Sequence, residues 1–251
     1  MKFSLEITQQ NAKNEIKIPE EAEFLIIPDN PFGKIGPGSV PMAYFLKNRY
    51  NMKVIATINT RDRNVIGIGS EILAALELGL DGLFVVKGDS TKKFSEVRDL
   101  DVFEVIAMIK KYRYMYGSDM LIGATINFVR GNEFRIVKKK MENGADFFIS
   151  QAVYDQKIIE KNKWIKYLSA PVYIGIIPIL SKKIINFYAK NLFIPDKVVQ
   201  ALRNSENLKN ENLLLFSEII HKSMDIVEGY HIMPLENVSF ADEIIRKVRK
   251  W

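Results

Sequence analysis

The side chains of this chain that could carry out chemistry are carboxylates, amides, hydroxyls and lysines. The sequence of 251 residues contains no cysteine, which excludes disulfides, thiolate metal sites and cysteine nucleophiles. Its two histidines, His221 and His231, are too few for a histidine-rich metal centre, so we expect no bound metal. Catalysis must therefore come from the remaining polar side chains or from a bound cofactor.

Polar side chains recur at one place in a repeated pattern. Eight short apolar runs each end, on their carboxyl side, in a polar or glycine-containing cluster. The runs are Lys2 to Thr8, Ala22 to Asp29, Lys53 to Thr60, Gly82 to Asp89, Met120 to Asn127, Asp146 to Tyr154, Pro171 to Ile179 and Gly229 to Leu235. Most are separated by segments with helical periodicity, which predicts a parallel sheet. Eight such units in 251 residues predict an α/β fold, a (β/α)8 TIM barrel, as one domain over residues 1–251.

Because the active site of such a barrel gathers at the carboxyl ends of its strands, the polar clusters predict where the site lies. Two connections depart from an even barrel. Residues 9–21, between the first two runs, are too few for a full crossover helix, so we expect the first helix to be shortened or missing. Residues 190–209 are unusually long for a connection and predict an extra helix after Pro195.

Composition favours a soluble, cytoplasmic protein with no membrane partner. Hydrophobic residues make up 47% and charged residues 26%, and no run of 18 apolar residues could span a bilayer. The formal charge of +6 includes the triplet Lys138 to Lys140, but no aromatic-basic pattern or nucleic-acid motif accompanies it. We therefore interpret the lysines as solvated helix faces and expect no nucleic-acid partner.

Seven of the clusters, taken in order, resemble the methylenetetrahydrofolate reductase family. They are LEIT from Leu5, DNP from Asp29, NTRDRN from Asn59, VVKGD from Val85, KMENGADFFISQAVYD from Lys140, IGIIPIL from Ile174 and GYHIMPL from Gly229. The resemblance implies a flavin barrel of one-carbon metabolism and methionine biosynthesis. In this family FAD takes hydride from a reduced donor and passes it to methylenetetrahydrofolate, giving methyltetrahydrofolate.

The resemblance also implies two catalytic carboxylates. Glu6 matches the family's catalytic glutamate; opening the folate ring needs a proton at N10, and an acid between Leu5 and Ile7 could retain one near neutral pH. The alternative is a strand glutamate in a salt bridge within the barrel. Asp89 matches an aspartate near the flavin pyrimidine edge and the pterin, where its charge favours the cationic iminium intermediate. The alternative for Asp89 is a helix amino-cap.

The remaining matches concern binding. Gln151 matches a glutamine that contacts the folate, since an amide can donate and accept along the pterin edge. Lys140 matches a lysine that contacts the cofactor, although a solvated charge at a helix end is the alternative. Flavin contacts are further expected from residues at other strand ends, namely Thr57, Asn59, Lys87, Gly88, Asp89 and Asn127, and from Ala145, which lets the backbone pass close to the cofactor.

Departures from the family pattern leave parts of the function open. Gln9 and Gln10 stand where the family commonly has two prolines, and Met233 and Asn237 replace an aromatic and an arginine associated with nicotinamide binding. The electron donor is therefore either NAD(P)H or a partner redox protein, such as a ferredoxin or a reductase subunit. The sequence does not decide whether the protein forms an oligomer. Two other functions are the alternatives: a pterin-binding barrel without flavin, acting as a carrier or methyltransferase partner, and a nucleic-acid or structural module.

Overall fold

Eight parallel strands close into one barrel in chain order within residues 1–89, 94–97 and 99–250, which the computed structural model describes. The strands are β1 (Lys2–Glu6), β2 (Ala22–Ile27), β3 (Val54–Asn59), β4 (Gly82–Val86), β5 (Leu121–Ile126), β6 (Phe147–Ala152), β7 (Val172–Ile176) and β8 (Gly229–Ile232). Each of the eight apolar runs contains one of these strands. The predicted (β/α)8 barrel is therefore confirmed.

The helices lie between the strands and after the last one. In the described part of the chain they are α1 (Ser39–Tyr50), α2 (Val65–Glu77), α3 (Val102–Met115), α4 (Glu133–Asn143), α5 (Gln156–Lys161), α6 (Lys182–Asn191), α7 (Asp196–Asn204), α8 (Leu208–Ser223) and α9 (Val238–Arg249). Helix α7, which follows Pro195, is the predicted extra helix. Helices α5 and α9 were not predicted from the sequence.

The connection between β1 and β2 contains a single 3-10 turn, Asn11–Lys13, instead of a crossover helix. The prediction of a shortened or missing first helix is therefore confirmed. Ala12 of the turn is fully buried, so this short segment still covers the outside of the barrel. No helix in the described residues is both long enough and apolar enough to span a bilayer.

Side chains of the strands alternate between the surrounding helices and the barrel interior. The inner face carries a separate apolar cluster, whose buried members are Phe24, Ile26, Ile55, Phe84, Phe147, Ile149 and Tyr173. A side chain at Gly123 would meet the Phe147 ring at 2.3 Å, so a glycine at this position of β5 lets the ring cross the barrel. The cluster closes the barrel interior and leaves the carboxyl ends of the strands for polar residues.

Candidate active site

Glu6 is the last residue of β1 and pairs in register with Ile26, a member of the inner cluster. Its side chain is partly buried at the mouth of the barrel. Burial, and then the charge of Asp89, raise the pKa of Glu6 to about 7. Glu6 forms no ion pair with any described residue, which argues against the salt-bridge alternative. A carboxyl group with this pKa is protonated in about half of the molecules at neutral pH.

Asp89 follows β4 and is the charged group whose field reaches Glu6. The residue is exposed, yet its Oδ2 accepts a hydrogen bond from the main-chain N–H of Phe32 at 2.7 Å. The mouth of the barrel therefore contains two carboxyl groups, the partly buried Glu6 and the exposed Asp89, whose charge acts on Glu6. A pair of carboxyl groups in different surroundings can divide acid and electrostatic roles between them.

Gly88 brings the chain after β4 close to the end of β3. Its φ is +89°, and a Cβ at this position would lie 3.0 Å from Cβ of Asn59. Both observations favour glycine, because residues with a side chain rarely adopt this backbone conformation and a Cβ would have little space here. Lys87, the preceding residue, is exposed.

Asn59 and Asp29 form a buried polar pair that joins the ends of β3 and β2. The main-chain N–H and the side-chain Nδ2 of Asn59 donate to Oδ2 of Asp29 at 3.0 and 2.8 Å. Arg63 donates to both oxygens of the same carboxylate, at 2.5 and 3.1 Å. Asn59 Oδ1 accepts from the main-chain N–H of Asp62 at 3.0 Å. Both the Nδ2 and the Oδ1 of Asn59 are therefore already hydrogen-bonded within the protein.

Asp29 and Arg63 belong to the DNP and NTRDRN motifs, and no role was predicted for either residue. A signal was present, because each belongs to a polar cluster directly after a strand. Thr57 also supports this framework: it is buried, and its carbonyl accepts a hydrogen bond from Ser39 Oγ of α1 at 2.5 Å.

Lys140 of α4 is a buried amine. Only 5% of the residue is exposed, and its Nζ donates to the carbonyl of Thr125 at 2.5 Å and to its hydroxyl at 3.3 Å. Burial lowers the pKa of Lys140 to about 8, while the charge of Glu133 acts in the opposite direction. The alternative of a solvated charge at a helix end is therefore wrong for Lys140, although Lys138 and Lys139 are exposed.

The remaining predicted residues divide between the two ends of the barrel. Asn127 follows β5 and is tied down locally: its N–H donates to Glu133 Oε1 at 2.8 Å, and its Oδ1 accepts from Val129 at 3.1 Å. Gln151, near the end of β6, has a side-chain amide with no hydrogen bond to any described residue, so it is free for a ligand. Ala145 precedes β6 and lies at the amino-terminal end of that strand. The structure thus does not bring Ala145 to the mouth, contrary to the expected flavin contact.

Tyr188 and the pair Ser4 and His231 lie near Glu6 and were not predicted. Burial, and then the charge of Glu6, raise the pKa of Tyr188, a buried residue of α6. Ser4, on the same face of β1 as Glu6, has its Oγ 2.9 Å from Nδ1 of His231. Burial lowers the pKa of His231 to about 3, so its imidazole is neutral at physiological pH. His231 lies within the GYHIMPL motif, and this position could have identified it as a candidate site residue.

The part of the chain described above holds no group of three or more His, Cys, Asp or Glu residues that could bind a metal ion. The candidate site consists instead of the carboxyl pair Glu6 and Asp89, the free amide of Gln151 and the buried amine of Lys140. Such a set can transfer a proton, stabilise a cation and bind an anion.

Comparison with solved structures supports the fold alone. A 2,3-dimethylmalate lyase of the PEP mutase/isocitrate lyase superfamily has a TM-score of 0.57 at 12% identity, covering 99% of this chain and 80% of the other. An oxaloacetate acetylhydrolase has a TM-score of 0.55 at 9% identity, covering 98% and 79%. At such identities the similarity concerns the barrel and carries no function.

Sequence comparison is more specific. No protein with a curated description matches the chain. The family described as "Methylenetetrahydrofolate reductase", however, matches residues 18–249, which include all the strands except β1. The chain therefore belongs to the methylenetetrahydrofolate reductase family.

Proposed function

We propose that this protein is an oxidoreductase that reduces 5,10-methylenetetrahydrofolate, or a related methylenetetrahydropterin, to its 5-methyl form with FAD as cofactor. The observation that carries the proposal is the carboxyl pair at the barrel mouth, where burial and Asp89 raise the pKa of Glu6 to about 7. Family membership supplies the reaction class. The test is the absorbance spectrum of the purified protein, followed by anaerobic reoxidation of the reduced protein with the methylene carrier. A colourless protein, or no reoxidation, would contradict the proposal.

Three features of the chain fit a flavin dinucleotide. Lys140 provides a buried ammonium close to the carboxyl end of β5, suited to an anionic phosphate. Arg61, after β3, is also buried, and its Nη1 has no hydrogen-bond partner among the described residues. Gly88 lacks the side chain that would narrow the approach between β3 and β4. We assign FAD binding to Lys140 and Gly88, assisted by Lys87, Asp89, Thr57, Asn59 and Asn127 around the mouth.

The protein's own residues handle the proton and the charge. A flavin held by these residues would supply the hydride for the one-carbon unit of the substrate. Protonated Glu6 delivers a proton to N10 as the five-membered ring opens, which requires the acid form at the working pH. Ionised Asp89 stabilises the cationic iminium that results. Gln151, whose amide is free, donates to and accepts from the pterin edge.

Lys140→Met tests the assigned flavin contact. Methionine retains much of the length and the apolar stem but removes the charge, so we expect flavin affinity to fall by about tenfold or more, on the order of one lost charge-assisted contact. Fluorescence titration of the apoprotein with FAD measures the effect.

Lys139→Met is the matched control, because Lys139 is exposed and its Nζ lies over the Phe103 ring at 4.2 Å. It should bind FAD as the wild type does. Equal losses in the two variants, or none in either, would remove Lys140 from the flavin site.

The electron donor is expected to be a redox protein in preference to NAD(P)H. Met233 follows β8 and Asn237 precedes α9, at the positions where some relatives have the aromatic and arginine associated with nicotinamide. We therefore expect anaerobic mixing with NADH or NADPH to reduce the flavin too slowly for turnover. Stopped-flow absorbance measures this, with dithionite as the control that the flavin is reducible. Fast bleaching by either nucleotide would refute the prediction.

A pterin-binding barrel without flavin, serving as a carrier or methyltransferase partner, is the second candidate. It is favoured by the internal hydrogen bonds of Asn59 and Asn127, which leave these two amides less available to a cofactor. Retention on a folate resin by a protein without flavin absorbance would support this candidate over the first.

A further inference from the structure

The loop between β2 and α1 holds two non-glycine residues in the left-handed backbone conformation. Asn30 has a φ of 47°, and Phe32 has a φ of 59° and a ψ of 22°, both in the left-handed region. Asparagine enters this region with some frequency, whereas a bulky aromatic residue rarely does. Strain of this kind persists only where the surrounding structure enforces it, and it is concentrated at functional sites.

Burial of the Phe32 ring does not explain the strain. The residue is 48% exposed, and within the described part of the chain its ring contacts one other ring, that of Phe187 of α6, at a centroid distance of 5.6 Å. The main chain offers a better explanation, because the N–H of Phe32 points to Oδ2 of Asp89 at 2.7 Å.

Several contacts hold the loop in this conformation. Oδ1 of Asn30 accepts from the N–H of Gly36 at 3.1 Å, and the side chain of Gln9 donates to the carbonyls of Pro28 and Pro37. A Cβ at Gly36 would collide with Gln9 Oε1 at 2.0 Å. Gln9, which stands where the family commonly has a proline, therefore anchors both ends of the loop that carries Phe32.

We infer that Phe32 is a positioning residue whose main-chain N–H fixes the Asp89 carboxylate toward Glu6. Asp89 is exposed, and among the described residues the Phe32 N–H is the one hydrogen-bond donor to its side chain, so loss of this bond lets the carboxylate turn toward solvent. In the described structure the charged group that acts on Glu6 is Asp89, from the end of β4, and Glu6 in turn acts on Tyr188, from α6. The orientation of Asp89 therefore sets part of the electrostatic field at Glu6. The inference rests on the proposed function only for its consequence in catalysis.

The test replaces the Phe32 amide by an ester, through incorporation of phenyllactate at position 32, which removes the N–H and keeps the ring. The readout is the titration of the Glu6 carboxyl by carbon-13 NMR in the ligand-free protein, assigned by its absence in Glu6→Gln. We expect the Glu6 midpoint to move downward, because a displaced Asp89 raises it less. Asp89→Asn calibrates the effect: the ester should shift the midpoint in the same direction and by no more.

Two controls separate the N–H from the side chain and from the ester itself. Phe32→Gly keeps the N–H and suits a left-handed backbone, so the Glu6 midpoint should stay at the wild-type value. An ester at Ile35, which is 84% exposed and whose N–H has no hydrogen bond to any described residue, should also leave it unchanged.

The inference is overturned if the Phe32 ester titrates like the wild type, or if Phe32→Gly shifts the midpoint as much as the ester does. A midpoint that ignores Asp89→Asn would also overturn it, since Asp89 would then not act on Glu6. None of these titrations requires flavin or pterin. A failure of the proposed reaction would therefore appear in the reoxidation experiment and leave this result standing.

Discussion

Replacing Glu6 by glutamine will slow reoxidation of the reduced flavin by the methylene carrier about a hundredfold or more, the usual scale for loss of a general acid. Glutamine keeps the shape and hydrogen bonding of the side chain but has no catalytic proton to donate. Reduction of the flavin needs no proton on the pterin, so that half-reaction and the flavin content should survive. Stopped-flow measurement of the two half-reactions separates these effects.

The pH dependence of the same step should follow the ionisation of Glu6. Burial and Asp89 raise the pKa of Glu6 to about 7, so its acid form is fully present below that pH and is lost as the pH rises through it. The rate of reoxidation in the wild type should therefore fall above about pH 7, and Glu6→Gln should lack this decline. A wild-type rate that rises through this range would contradict the role of Glu6 as the acid.

Glu23→Gln is the matched control for Glu6→Gln. Glu23 belongs to β2, lies on the opposite end of the barrel from Glu6 and accepts a hydrogen bond from the Tyr173 hydroxyl at 2.9 Å. Its substitution should leave both half-reactions unchanged. An unchanged reoxidation rate in Glu6→Gln would remove Glu6 from the mechanism, and loss of bound flavin would indicate a structural role instead.

The strands and the end of the barrel that holds the site were predictable because they depend on local patterns. A run such as Val54–Asn59 is short, apolar and followed by polar residues, which is the signature of a buried parallel strand. The absence of a full first helix was predictable from the small number of residues between β1 and β2 alone. Helix α5 was not predicted because its six residues are too few to show a helical period of apolar residues.

The contacts within the site were less predictable because they join residues distant in sequence. Arg63 and Asp29 are 34 residues apart, and nothing in one sequence shows that they pair. The burial of Lys140 could have been found, since Glu133, Val137 and Lys140 recur at helical spacing on the buried face of α4. Ala145 directly precedes β6 in the chain and therefore lies at the end of the barrel opposite the mouth. The left-handed conformation of Phe32 has no such signal, because its residue type argues against it.

Asp29→Ala should lower the free energy of unfolding by about 3 kcal/mol, at the low end for a broken buried ion pair. The Asp29 side chain is 1% exposed and accepts hydrogen bonds from two donors of Asn59, two of Arg63 and the side-chain amide of Asn30. Alanine leaves all five donors without this partner. The Arg63 side chain is 18% exposed and can regain part of its hydration, which keeps the loss from being larger. Urea denaturation followed by circular dichroism measures it.

Asp146→Ala provides the comparison that isolates burial from pairing. Asp146 also binds an arginine, Arg113, and a main-chain N–H, that of Ile122, but its side chain is 32% exposed and it lies at the amino-terminal end of β6. Solvent screening should limit its loss to about 1 kcal/mol. If the two variants are equally destabilised, burial of the Asp29 carboxylate contributes nothing beyond the pairing itself. A larger loss for Asp29→Ala would show that the buried contact between the ends of β2 and β3 stabilises the barrel mouth. Gly88, the residue before Asp89, packs against Asn59 of this same contact.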